Sequence, residues 1–161
     1  MKLNIDITRE DYADFNKFHF MKTRLKQSII AIVCTLLIVQ YFLNSDGFDL
    51  MTTTVSSLFG IVVYIFILYR SYVVIKRIPL ENGYILGKKE VEFTEERYFY
   101  KTRNSEASTG WDAIKSIEEG KTAFYLFMDT NMAMIIPKRT FKDESEMYYF
   151  KDLVTRKIQK A

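Results

Sequence analysis

The sequence predicts an α+β membrane protein: a two-helix transmembrane hairpin joined to a small antiparallel-sheet domain closed by a C-terminal helix. Three observations predict it. Two uncharged apolar runs lie close together, short alternating segments fill the C-terminal half, and an amphipathic stretch ends the chain. They divide the 161 residues into an N-terminal strand and amphipathic helix (1–26), a hairpin (27–78, helices at about 27–44 and 50–76) and a domain at 80–161.

At the start, Leu3, Ile5 and Ile7 alternate with Lys2, Asn4 and Asp6, the pattern of a half-buried strand. So short a strand needs a partner, and it is expected to pair with the C-terminal sheet across the intervening hairpin. Thr8 then reads as a helix N-cap, with Glu10 and Asp11 in the first turn. Tyr12, Phe15 and Phe18 recur at helical spacing, which suggests a short amphipathic helix at headgroup level or an extension of the first span. His19, the only histidine, has no catalytic partners nearby and reads as interfacial.

No charge lies between Lys26 and Asp46, nor from Leu50 to Tyr69. At about 1.5 Å per residue each run extends roughly 28–30 Å, matching a hydrocarbon core of about 30 Å. A cleaved signal peptide fits poorly, because the first run begins late, lacks an Ala-x-Ala exit and is followed at once by another. The turn at 44–49 contains Asp46 and Asp49 but no Lys or Arg, whereas Lys17, Lys22, Arg24 and Lys26 precede the hairpin and Arg70, Lys76 and Arg77 follow it. The positive-inside rule then puts both termini in the cytoplasm and the turn outside. Lys22, Arg24, Lys26, Arg70, Lys76 and Arg77 are expected to be interfacial anchors, Arg70 by snorkelling. Ala31 with Thr35, and Ser56 with Gly60, are small-residue pairs one turn apart that suit hairpin packing or a homo-oligomer seam, the hairpin being the expected use. Gln40 and Thr52–Thr54 offer hydrogen bonds near the outer face.

Pro79 and Gly83 are expected to end the second helix. Strand patterns follow at Glu90–Thr94, Arg97–Thr102, Gly110–Glu118, Thr122–Met128 and Met132–Pro137, with turn residues at Asn104-Ser105, Glu119-Gly120 and Asp129–Asn131. Phe124, Leu126 and Met128 alternate with Tyr125 and Phe127, predicting one buried face. Such short connections indicate an antiparallel meander. Asp143 and Glu146 have capping-box spacing, and Met147, Phe150, Val154 and Ile158 form an apolar stripe on the final helix. A small sheet closed by one C-terminal helix is the outline of a pleckstrin-homology-like (PH-like) domain.

The stretch from Trp111 to Glu119, the strand Tyr125–Met128 and the run Ile135-Ile136-Pro137-Lys138-Arg139-Thr140-Phe141 resemble the YcxB-like family. The resemblance covers about the last 80 residues. It implies a bacterial cytoplasmic-membrane protein with two transmembrane helices and a C-terminal PH-like domain, and it implies no particular activity.

Charge narrows the function. From Leu80 to Ala161 there are fourteen Lys/Arg and fourteen Asp/Glu, so the predicted domain is formally neutral and does not suit nucleic acid. Cys34 is the single cysteine, which excludes an intramolecular disulfide and a Cys-based zinc site. No phosphate-cradling glycine loop, metal-ligand cluster or Ser/His/Asp set is present, so no catalytic residue, cofactor or metal is expected. The acidic pairs Glu95-Glu96 and Glu118-Glu119 read as solvated turns or strand ends. Lys138, Arg139 and Lys142 form a candidate contact for anionic lipid headgroups or a partner's acidic segment, although a solvated turn near a negative surface is the favoured reading. The expected function is a membrane-anchored binding or scaffold module with a protein partner. The alternative is an immunity or stress-protection protein acting against a membrane-active toxin.

Overall fold

The computed structural model describes all residues except 45, 46, 48, 81–84, 104 and 161. The helix stop expected at Gly83, and parts of the turns at 44–49 and 104–105, lie outside the described residues. The chain divides into two compact units, Met1–Phe18 with Lys76–Ala161, and His19–Ile75.

The first unit is assembled from both ends of the chain. Strand β1 (Lys2–Ile7) buries Leu3, Ile5 and Ile7 and exposes the alternate residues, as its pattern predicts. It pairs antiparallel with β2 (Gly87–Phe93), Leu3 opposite Val91 and Ile5 opposite Lys89. The backbone of Met1 extends the ladder, its carbonyl accepting from Phe93 N at 2.7 Å. The expected pairing across the hairpin is therefore present. Strands β3 (Arg97–Lys101) and β4 (Glu106–Gly110) complete a four-stranded sheet in the order β1-β2-β3-β4. A second sheet holds β5 (Ser116–Glu119), β6 (Ala123–Asp129) and β7 (Met132–Pro137), all antiparallel.

Helix α4 (Glu144–Lys160) closes this unit. Asp143 Oδ1 accepts from Glu146 N at 2.8 Å, and Glu146 Oε2 accepts from Lys142 N at 2.8 Å, a reciprocal cap reaching one residue further back than the usual box. Its Phe150, Leu153 and Val154 are buried. Phe150 meets Phe93, Phe124 and Phe141 at ring separations of 5.4, 5.6 and 5.1 Å, joining both sheets and the helix in one aromatic core.

Three expectations for this unit are corrected. Gly110–Glu118 is not one strand: Trp111–Ala113 form a 3₁₀ turn between β4 and β5. Trp111 is buried through side-chain packing at that corner, stacking on Phe93 at 5.8 Å and donating from Nε1 to Thr94 O at 3.3 Å. Strand β6 does not alternate, because Ala123 through Phe127 are all buried. The reason is the third correction. Helix α1 (Arg9–His19) continues into the first long apolar helix, a run of Arg9–Leu43, as one of its two expected readings has it, but its aromatic stripe is turned into the core: Phe15 packs on Tyr125 and Phe127, and Phe18 on Tyr125 at 4.8 Å. Both faces of β6 are thus covered, one by α1 and the other by the core beneath α4.

The second unit contains a π-helical turn (Phe20–Arg24), α2 (Leu25–Leu43) and α3 (Leu50–Arg77, whose last two residues belong to the first unit). Both helices are long and apolar enough to cross a membrane. Polar groups line their seam. Ser28 Oγ meets Tyr64 Oη at 2.5 Å, and Gln40 Nε2 donates to Thr53 O and Ser56 Oγ at 3.1 and 2.7 Å. A Cβ on Gly60 would come 2.7 Å from Leu36 Cδ2, so glycine there permits close approach. Ser56 and Gly60 therefore serve the hairpin as expected. Ala31 and Thr35 do not; both are exposed on α2, and the Thr35 hydroxyl donates back to Ala31 O.

A direct test is to excise the hairpin. Replacing residues 19–75 by a flexible Gly/Ser linker of about 15 residues, enough to span the roughly 16 Å length of α1, should yield a folded protein with dispersed amide resonances. The same chain lacking residues 1–18 should not fold.

Candidate functional site

The most highly organised polar group lies where the chain leaves β1 for α1. Thr8 caps α1, its Oγ1 accepting from Asp11 N at 3.3 Å, while Asp11 Oδ2 accepts from Thr8 N at 2.7 Å and Thr8 Oγ1 at 2.8 Å. Asp11 is only 3% exposed. Arg139, in the 3₁₀ turn Lys138–Thr140 between β7 and α4, forks onto it, with Nη1 to Oδ1 at 2.6 Å and Nη2 to Oδ2 at 2.5 Å. Nη2 also donates to Asp6 O at 2.7 Å, satisfying a carbonyl near the end of β1. Burial pushes the Asp11 carboxyl upward, but Arg139 and the two Thr8 donors outweigh it and hold the pKa below the ordinary aspartate value.

The chain returns beside this point. Arg9 Nη1 donates to Lys76 O at 2.8 Å, and Lys76 Nζ pairs with Glu10 Oε1 at 2.8 Å. Both connections to the inserted segment are therefore tied to the first turn of α1. A second cluster surrounds Glu119 in β5, whose two carboxylate oxygens accept from Lys138 and Lys151, each at 2.7 Å. These two lysines hold the Glu119 pKa down.

Of the candidate headgroup residues, Arg139 and Lys138 are thus engaged in pairs within the unit, and Lys142 is exposed at the turn before α4. Among the expected anchors, Lys22 and Arg24 lie in the π-helical turn and Lys26 in the first turn of α2. Arg70 is exposed on α3, and Lys76 and Arg77 occupy its last turn. The acidic pairs do not converge. Glu95 is bound by Lys157, Glu119 by two lysines, and successive strand residues place Glu118 and Glu119 on opposite faces. Among the described residues, no group of three His, Cys, Asp or Glu side chains is placed to hold a metal ion.

Two features were missed by reading residues singly. Lys89 alternates in phase with Val91 and Phe93 and is buried with them, 6% exposed, its Nζ donating to Ile85 O at 2.8 Å. Nζ also lies 5.4 Å from the centre of the Tyr100 ring. Burial lowers its pKa to about 8. The in-phase position was the available signal. The other is an open groove of about 620 Å³ along β1, β2 and the end of β3, lined among others by Asn4, Asp6, Lys88, Glu90, Lys101 and Arg103. Its charges are matched across the strands, Asp6 opposite Lys88 and Glu90 opposite Lys101.

The fold defines an α+β protein in which two long apolar helices interrupt a unit of two antiparallel sheets and a closing helix. Residues 93–154 match the family model described as YcxB-like protein, so this segment of the chain is similar to that family. The match runs from the end of β2 through β3–β7 into α4, leaving β1, α1 and the apolar helices outside it. No curated protein and no solved structure matches the chain.

These ionisable groups give three predictions. Arg139→Leu should destabilise the first unit by about 2–4 kcal/mol, less than for a fully enclosed pair because the guanidinium is half exposed. Because the folded-state Asp11 pKa is depressed, its contribution is complete above the unfolded value and lost as pH falls through the folded one. The stability difference between wild type and Asp11→Asn, followed by Trp111 fluorescence, should therefore shrink on acidification below about pH 4. Lys89→Met should be more stable than wild type at pH 7. Between about pH 8 and 10.5 the unfolded lysine holds a proton that the folded one has released. Wild-type stability should accordingly rise relative to the variant across that window, by an amount on the order of 2–3 kcal/mol.

Proposed function

We propose that this chain is a membrane-anchored, non-catalytic binding or scaffold protein that presents a PH-like domain at the inner leaflet of a cytoplasmic membrane. Supporting the anchor are two helices of 19 and 28 residues whose apolar side chains are largely exposed along their length, as contact with lipid would require. The orientation rests on Lys22, Arg24, Lys26, Arg70, Lys76 and Arg77 flanking the apolar runs on the terminal side, against Asp46 and Asp49 in the turn. The PH-like reading rests on a four-stranded and a three-stranded antiparallel sheet closed by a single C-terminal helix. PH-like domains commonly recognise peptides or phospholipids, an analogy at the level of fold.

The observation that carries this reading is the place of the insertion. The apolar helices interrupt the β1–β2 connection, and Arg9, Glu10 and Lys76 join the outgoing and returning chain. The domain is thereby attached to its anchor at two points, which suits a module held at a surface.

Crosslinking and purification of the intact protein from native membranes should recover a reproducible protein partner or an anionic lipid. Recovery of neither, across conditions where the protein is expressed, would overturn the binding reading. In a Cys34→Ser background, Asp49→Cys should react with an impermeant thiol reagent in whole cells and Ser145→Cys only after permeabilisation. The reverse pattern would overturn the orientation.

A further inference from the structure

Aliphatic side chains stay exposed on the first unit at one place. Among its described residues, every exposed isoleucine, leucine or valine lies in the connection from α3 to β2: Ile78, Leu80 and Ile85, at 56, 76 and 38% exposure. Scattered single apolar residues are ordinary on a surface, whereas a group confined to one connection marks a contact. Ile78 and Leu80 flank Pro79, which is buried, so the pair is displayed from an anchored bend.

We propose that Ile78 and Leu80 dip into the headgroup layer of the bilayer that α2 and α3 span, giving the first unit a lipid contact of its own beside its two covalent links to the helices. The inference rests on the membrane-anchor reading above and adds to it a surface on the folded unit that lipid covers.

Continuity with α3 selects lipid as the occupant. Asn44 Nδ2 donates to Thr53 Oγ1 at 3.2 Å and Gln40 Nε2 to Ser56 Oγ at 2.7 Å, which sets a polar level at one end of the hairpin. Counted from Thr53 at about 1.5 Å per residue, a hydrocarbon core of about 30 Å ends near Val73. Arg70 then lies within one turn of that edge, where it can snorkel. Helix α3 stops at Arg77, so Ile78 follows about 8 Å beyond the edge, at the depth of a headgroup layer about 5–8 Å thick. The chain bends at Ile78 and Pro79 instead of running on along the helix axis, which keeps Leu80 within reach of the same layer. The charges beside the pair are mixed, Arg9, Lys76 and Arg77 against Glu10 and, next in the sequence, Glu81. Apolar burial, and not attraction to anionic lipid, therefore holds the contact. A stable protein interface would need about 800 Å² on each partner, which these few side chains do not fill.

Nitroxide depth measurements test the contact. The intact Cys34→Ser protein, reconstituted in phosphatidylcholine vesicles, is spin-labelled at Ile78→Cys, Leu80→Cys, the hairpin site Val62→Cys or the α4 site Tyr149→Cys, all exposed positions. The ratio of collisions with oxygen, which concentrates in lipid, to those with a water-soluble nickel chelate reports depth. At Ile78 and Leu80 it should exceed the Tyr149 value by at least ~3-fold and stay below the Val62 value. Ratios at Ile78 and Leu80 equal to that at Tyr149, with Val62 in lipid, would overturn the contact and leave the anchor standing. A water-like ratio at Val62 would overturn the anchor and this inference with it. Shielding of Leu80 from both reagents would mean protein cover, by a second copy or a partner, and would also overturn the proposal. Unchanged Trp111 fluorescence shows that each variant is folded.

Discussion

The ladder between Lys2–Ile7 and Gly87–Glu92 is the interaction on which the rest of the structure depends. It makes one unit from the two ends of the chain, and it turns the apolar hairpin into an insertion within a β-connection. Without β1, Val91 and the aliphatic stem of Lys89 lose their cross-strand partners Leu3 and Ile5. The edge of β2 would then be left unpaired, exposing backbone groups and apolar surface together. An insertion of this size is tolerated in a sheet only if its ends stay close, and the links from Arg9 and Glu10 to Lys76 meet that requirement.

The same logic explains the buried ion pair. Helix α1 must leave β1 at a fixed angle to lay Phe15 and Phe18 over Tyr125 and Phe127. The Thr8–Asp11 cap sets where the helix begins, and the Arg139 fork fixes that point against the β7–α4 turn. Burial of both faces of β6 follows, and with it the position of Tyr125, whose phenol burial pushes up to about 12. The polar pair and the aromatic layer therefore depend on each other. A buried carboxylate is costly unless paired, and the pairing is geometrically possible only when α1 lies on the sheet.

Much of this was legible in the sequence where periodicity reports directly on burial. Leu3, Ile5 and Ile7 announce a strand, Phe150 and Val154 a helix face, and the two uncharged runs a pair of long helices, because one side of each element meets one environment. Legibility failed where a residue is buried by a distant element. Tyr125 and Phe127 look solvent-facing until α1 covers them. Trp111 imitates a strand residue because its burial comes from packing on Phe93 at a 3₁₀ corner. Strand β4, with no large side chain in Glu106–Gly110, carries no apolar pattern at all and is held by its ladder to β3. For the candidate site, Lys138 and Arg139 were visible as a basic turn, but the Asp11 partner of Arg139 lies 128 positions away, beyond any local pattern. The YcxB-like match covers one continuous stretch, residues 93–154, while the four-stranded sheet is completed from outside it.

The central claim is that residues 1–7 belong to the same cooperative unit as the C-terminal sheets, although an apolar hairpin separates them in the chain. Amide hydrogen exchange on the intact protein tests it most directly. The account predicts that the ladder amides of β1 are protected to the same degree as those of β2 and β6, all exchanging through one global opening. Exchange of the β1 amides orders of magnitude faster than those of β2 and β6 would contradict it, and would reduce β1 to a frayed tail resting on a self-sufficient domain.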